Sequence, residues 1–254
     1  MLRTIISLLF LCALHLSAQN YDNHTADLKG KKILVFSKNG EGYVHDNIAA
    51  SVEMFIKMGQ REQFTVDTTT NSSVFALPAI NQYDAVVFSN TNDHIFDTQA
   101  EKDGLIKFVR SGKGFMGIHS ASTSERDWEW YKQMTGGTFD FHPPFQSFTV
   151  KVVDKSHPSA VDFPSTLVVK DELYVMKELN PTIRIIMVSD FSAADFKSSD
   201  PMPNTFGKVF PCVWCNTFDG GRQWFSTLGH DKSDYSNPVF INHILGGLKW
   251  TIKN

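Results

Sequence analysis

The stretch "GFMGIHSAST", residues 114–123, decides the fold. An apolar run stops at a histidine set among small residues: Gly117, Ile118, His119, Ser120 and Ala121. A small-x-nucleophile-x-small pattern at a strand end is how α/β-hydrolases display a reactive side chain on a sharp turn. The stretch therefore reads as a buried strand ending in an elbow, with His119 at its apex. The question is what chemistry a histidine performs there.

Working outward, strand and helix signals alternate. "KKILVFS" (31–37) and "YDAVVFSN" (83–90) are buried-strand runs, and "EQFTVDTTT" (62–70) alternates like a strand. "NIAASVEMFIKMG" (47–59) has helical spacing at Ile48, Val52, Phe55 and Ile56, with Gly59 placed to cap it. "DTQAEKDGLIKFVRSG" (97–112) opens on a capping pair, Thr98 with Glu101, and closes on Gly112. Such alternation predicts an α/β fold, its parallel sheet covered on both faces. The second half adds strands at 148–154, 182–190, 208–218 and 221–230, the last two flanking a hairpin turn at Asp219-Gly220-Gly221. A helix over 238–254 closes the chain. No repeat or low-complexity linker divides it, so residues 31–254 are expected to form one domain behind a polar lead-in, 19–30.

The first 18 residues read as a secretory signal peptide: Arg3, an apolar stretch from Ile5 to Leu16, and "LSAQ" offering a cut after Ala18. The apolar stretch is short of the roughly 20 residues of a membrane span, and no later segment comes closer without charges. The expected location is the periplasm or the extracellular space. A hydrophobic fraction of 42% is ample for a core, and a formal charge of −3 argues against a nucleic-acid partner. Cys12 lies in the signal peptide. Cys212 and Cys215, in "PCVWCNTF", sit in a strand pattern rather than at a helix start, which makes them structural rather than redox-active.

Ligands of open α/β sheets bind beyond the carboxyl ends of the strands. After 31–37 come Gly40, Gly42, Tyr43 and His45; after 84–89, Asn90, Asn92 and Asp93; after 114–118, His119 and Ser120; after 222–229, His230 and Asp231. His45, His119 and His230 share one cleft if these strands are neighbours. Asp231 is placed to orient the His230 ring. "KDELYVM" (170–176) offers Glu172 as a base, with Asp171 as a turn or cap residue. His94, His142 and His157 are weaker candidates, the last two shaping loops before prolines; His24 lies in the lead-in and His243 on the last helix. Aromatics crowd the middle of the chain (Trp128, Trp130, Tyr131, Phe139, Phe141, Phe145), most of them suited to a core and some to the C–H faces of sugars.

"FSKNGEGYVHDNI", "SGKGFMGIHSAST", "WYKQMTGGTFDFHPPFQSFTVKVVDKSHPS", "DELY" and "GRQWFSTLGHD", in this order, resemble the ThuA-like, or trehalose-utilisation, family, from about Lys31 to the C-terminus. The resemblance implies a class I glutamine amidotransferase-like fold, a flavodoxin-like three-layer sandwich with extra strands in the second half. The amidotransferases carry a cysteine nucleophile on the elbow; here His119 stands there and neither later cysteine is near, so glutamine amidotransfer is not expected. "CVWC" departs from a more usual aliphatic-Trp-aromatic or hydroxyl pattern, whereas "STLGHD" keeps Gly-His-Asp.

The resemblance also implies sugar catabolism, alongside enzymes that make keto-sugars. The leading expectation is an enzyme acting on a sugar, keto-sugar or glycoside, with His119, His230 and Glu172 handling protons and Tyr43, His45, Asn92, Asp93, Ser120 and Asp231 binding substrate. It needs no cofactor. One alternative is a divalent metal on His45, His119 and His230, although no H-x-H or H-E-x-x-H spacing supports it. Another is a non-catalytic sugar-binding module.

Overall fold

The computed structural model describes residues 22–196 and 208–253; the expected signal peptide lies outside them. Among the described residues nine strands form one sheet. Its parallel half is built from β1 (Lys32–Phe36), β2 (Thr65–Thr69), β3 (Ala85–Ser89), β4 (Gly114–Ile118) and, far along the chain, β11 (Gly221–Ser226). These stand in the order β2-β1-β3-β4-β11, the flavodoxin-like arrangement. An antiparallel half continues from β11 through β10 (Val209–Phe218), β9 (Arg184–Asp190), β6 (Gln146–Val152) and β7 (Thr166–Asp171). A separate ribbon pairs β5 (Thr138–Phe141) with β8 (Val175–Lys177). The chain is an α/β sandwich as expected, with more antiparallel sheet than the sequence revealed.

Helices cover both faces. On one lie α1 (Ile48–Glu62) and α4 (Pro238–Thr251), joined by a Glu62–Lys249 ion pair at 2.8 Å. On the other lie α2 (Gln99–Arg110) and α3 (Glu129–Thr135), where the Trp214 indole of β10 donates to the Thr135 carbonyl at 2.7 Å. Phe36, Phe75, Phe88, Phe115 and Tyr131 pack edge to face or tilted beneath α2 and α3. The alternation of β11 sends Phe225 to this side and Trp224 to the other, against Gly247 of α4.

Local rules explain most boundaries. Thr98 caps α2 by accepting from the Glu101 amide at 3.3 Å, while the Glu101 carboxylate accepts from the Asp97 amide at 2.8 Å. Gly112, at φ +88°, closes that helix. Asp219 and Gly220, both at positive φ, make the two-residue hairpin between β10 and β11. Gly59 does not end α1, contrary to expectation: the helix runs on to Glu62 and Gln63 takes the left-handed cap at φ +62°. A Cβ at Gly59 would lie 2.8 Å from the Phe64 carbonyl, so this glycine serves close packing. The lead-in is less detached than its polarity implied, since Ala26 and Leu28 are buried and the Ala26 amide donates to the Lys249 carbonyl. Cys212 and Cys215 are free thiols buried in β10, both pushed up to about 12 by desolvation.

Candidate active site

The carboxyl edge of the parallel strands carries the strain of the fold. Among the described residues seven non-glycine residues have positive φ, and four of them, Asn90, Asp93, His119 and Glu125, lie in the loops after β3 and β4. Such conformations cost of order 1–3 kcal/mol each and cluster at functional sites. His119 is at φ +52°, on the first residue after β4, and is fully buried. The left-handed kink is thus in the histidine itself. Gly117 serves a different purpose: a Cβ there would lie 2.2 Å from Phe225 Cε2.

Three loops bring partners to His119. Its Nε2 lies 3.2 Å from His45 Nε2, 3.2 Å from His230 Nδ1, 3.2 Å from the Tyr174 hydroxyl and 3.4 Å from Glu172 Oε2. His230 Nδ1 is in turn 3.2 Å from Glu172 Oε2. One donor atom each from His45, His119, Glu172 and His230 fall within 4.8 Å of one another. His119 Nδ1 faces the Thr227 carbonyl at 2.8 Å, so that nitrogen carries a proton and Nε2 faces the cluster.

Four lone-pair-bearing atoms around one point need hydrogen or a cation between them. A shared proton, or a cation, meets that need. Two observations fit a cation. Four of the six separations between cluster atoms run from 3.2 to 3.4 Å, and the other two, both from His45, fall within 4.8 Å; metal–nitrogen bonds of ~2.0–2.1 Å in a tetrahedron put ligand atoms about 3.3–3.4 Å apart, so His45 would move inward to complete one. His45 is also pushed down to about 3, by burial first and then by the neighbouring His119 and His230, which leaves it neutral and free to ligate. Burial alone would raise the Glu172 carboxyl, but its contacts with the His119 and His230 rings overcome this and hold it well below the usual carboxylate range. His230 is raised, chiefly by its hydrogen bond to Glu172.

Buried polar contacts hold the loops. Both oxygens of the Asp171 carboxylate, at the end of β7, accept backbone amides: Gly229 at 2.8 Å on one, His230 at 3.2 Å and Glu172 at 2.7 Å on the other. Gly229 is at φ +112°, which a side chain would not tolerate cheaply. The Asn47 amide group donates to the Gly229 and His230 carbonyls at 2.7 and 2.8 Å, tying α1 to the same loop. Ser120 Oγ lies 3.3 Å from His45 Nδ1, fixing that ring from behind.

A cleft of about 480 Å³ opens over the cluster, lined in part by Tyr43, Asn92, Thr123, Arg126, Phe139 and His142. Tyr43 is 64% exposed and stands edge-on to His45, with ring centroids 4.8 Å apart. Asn92 donates to the Tyr43 carbonyl at 2.8 Å and shapes the adjacent wall. Two of the expected substrate contacts have other partners in the structure. The Asp231 carboxylate caps the Ser233 amide at 2.8 Å, and the carboxylate beside the His230 ring is that of Glu172. Asp93 contributes backbone, its carbonyl accepting from the Glu125 amide at 3.0 Å, and its side chain does not line the cleft. His142 does more than shape a loop: its Nε2 lies 3.5 Å from Glu172 Oε1. Tyr174 and Arg126 are cleft residues that sequence reasoning missed. Tyr174 stood in view, two residues after Glu172; Arg126 carried no signal, as an isolated arginine beside an elbow resembles any surface charge.

Fold and site together define an amidotransferase-like sandwich with a buried histidine–glutamate cluster where the nucleophile elbow would hold cysteine. The chain belongs to the ThuA family, described as trehalose utilisation, whose profile matches residues 32–251. Membership gives it a role related to carbohydrate utilisation. A ThuA-like protein from Bacteroides uniformis has a similar fold, with 20% identity, TM-score 0.73, and coverage of 91% of this chain and 95% of that one. A ThuA-like protein from Parabacteroides merdae follows at 19% identity and TM-score 0.67, covering 88% and 90% of the respective chains. A GMP synthase protein from Thermoplasma acidophilum, at 11% identity and TM-score 0.52, shares the fold over 87% of this chain and 96% of its own. No curated protein matches the sequence. Among the described residues no helix is long and apolar enough to cross a membrane.

Proposed function

We propose that the protein is an exported enzyme of carbohydrate catabolism that acts on a sugar, keto-sugar or glycoside, with one divalent cation held by His45, His119, His230 and Glu172. The observation that carries this reading is the convergence of four donor atoms within 4.8 Å. A cation there supplies a Lewis acid for a sugar carbonyl or hydroxyl oxygen. The chain's own groups do the rest. His142, its ring 35% exposed, is placed to move a proton at the cleft. Tyr174, raised well above its ordinary value by burial, stays a neutral hydroxyl beside His119. Tyr43, Phe139 and Phe145 offer aromatic faces for sugar C–H groups, Phe145 lying 5.3 Å from the His230 ring. Export rests on residues 1–18, and the carbohydrate on the family.

A second reading has the same residues acting without metal, as an acid/base set in which Glu172 keeps His230 protonated; the 3.2 Å contact between them favours it. Elemental analysis of protein purified without chelators separates the two. The first reading expects close to one equivalent of a divalent metal and turnover of a sugar, keto-sugar or glycoside that ceases on chelation and returns with the metal. Full turnover by metal-free protein would leave only the second. A protein that binds such sugars and turns none over would be the non-catalytic module.

A further inference from the structure

Arg126 is the exception among the arginines. Of the five among the described residues, Arg61, Arg110, Arg184 and Arg222 each form an ion pair, with Glu62, Asp219, Asp154 and Asp22 respectively. Neither hydrogen bond nor ion pair within the described residues holds the Arg126 side chain, which lines the cleft over the histidine cluster. The protein thus leaves its fifth guanidinium without an anion at the one place where a ligand is expected.

The backbone delivers it there. Glu125 sits in the left-handed region at φ +48°, a cost accepted by a non-glycine residue. Its carboxylate is buried, accepts the Ile95 and Phe96 amides at 2.9 and 3.1 Å, and pairs with Lys102 at 2.6 Å. Its own amide donates to the Asp93 carbonyl at 3.0 Å, and its carbonyl accepts from the Trp128 amide at 2.8 Å. Every polar group of Glu125 is engaged in fixing one strained turn, and the next residue is the unpaired arginine. The other cleft-wall polar groups beside it are already partnered, Thr123 with Asn92 and Asn92 with the Tyr43 carbonyl.

We infer that Arg126 is an anion-recognition residue and that the substrate is an anionic sugar, one whose carboxylate or phosphate meets the guanidinium while its hydroxyl or carbonyl oxygens face the His–Glu cluster. A planar guanidinium suits both anions, through two parallel N–H···O bonds. The inference rests on the carbohydrate reading above and narrows it to charged sugars.

Calorimetric titration tests it on the full protein with D-gluconate, D-glucose 6-phosphate and D-glucose as probes. At least one anionic probe is expected to bind tenfold or more tightly than glucose, and the better of the two identifies the anion. In Arg126→Gln the preference falls to under threefold, with glucose affinity and metal content unchanged; Arg126→Lys keeps part of it. Equal affinity for all three sugars, or a preference that survives in Arg126→Gln, overturns the inference and leaves the carbohydrate reading standing. Binding of no sugar at all overturns both.

Discussion

The rings of His119 and His45 meet nitrogen to nitrogen, their Nε2 atoms 3.2 Å apart, although 74 residues separate them in sequence. With His119 Nδ1 committed to the Thr227 carbonyl, one proton at most can lie between the two Nε2 atoms, and Tyr174, His230 and Glu172 crowd the same point. Removing His119 should therefore undo the centre. His119→Ala is expected to lower divalent metal affinity at least a hundredfold and to abolish turnover. The side chain is buried and its backbone left-handed, so about 1–2 kcal/mol of stability should go with it. His119→Asn, which tolerates that φ, should recover most of the stability and none of the function, as read by urea unfolding beside metal content.

Asp171 accepts three backbone amides with its two oxygens. An amide in its place keeps one acceptor and points an N–H group at a donor. Asp171→Asn should loosen the Gly229–His230 turn and weaken metal binding by roughly ten- to a hundredfold, as outer supports of metal ligands do. The change should appear in metal affinity and in the spectrum of a cobalt-substituted protein, with the fold retained. An unchanged cobalt spectrum would show that the latch does not set the ligand geometry.

Gly117 and Phe225 compete for one volume. Gly117→Ala places a methyl 2.2 Å from the Phe225 ring and should cost roughly 1–3 kcal/mol. Adding Phe225→Leu should return part of that loss, so the double variant unfolds at higher urea than Gly117→Ala alone. Strictly additive losses would mean that the two side chains do not share the space.

His157 and His243 are buried and held down to about 3 and about 4, chiefly by desolvation. In the unfolded chain both titrate near 6.5. As pH falls below that value the unfolded chain takes up protons that the folded one refuses, so the stability these two groups contribute is complete above about pH 7 and declines towards pH 4. By pH 5 His243 alone accounts for about 2 kcal/mol of the decline. His243→Gln should reduce the loss between pH 7.5 and pH 5 by about that amount in urea unfolding. An equal loss in the variant would assign the pH dependence elsewhere.

What was legible in the sequence follows from how local each signal is. The runs that became β1, β3 and β4 are buried on both faces and read as uninterrupted apolar segments, and the residues just beyond them, His45 and His119, could be placed at one edge. The His230 loop was found the same way. β7 was missed because "TLVVKD" alternates between exposed and half-buried at the sheet's edge, a weak pattern. Adjacency in sequence points to Asp231 as the residue that orients the His230 ring; the fold instead brings Glu172 from 58 residues away. His142 and Tyr174 reach the cleft from the β5–β8 ribbon, whose short paired strands have no strong periodicity.

The central claim is that His45, His119, His230 and Glu172 form one metal centre. Calorimetric titration of chelator-stripped protein with zinc, and with manganese or cobalt in parallel, tests it most directly. The account predicts saturation at one equivalent for at least one of these ions, loss of that binding in His45→Ala and in His119→Ala, and no change in His94→Ala, whose exposed ring lies outside the cluster. Failure of all three ions to bind at one equivalent, or binding that survives in both cluster variants, would contradict it.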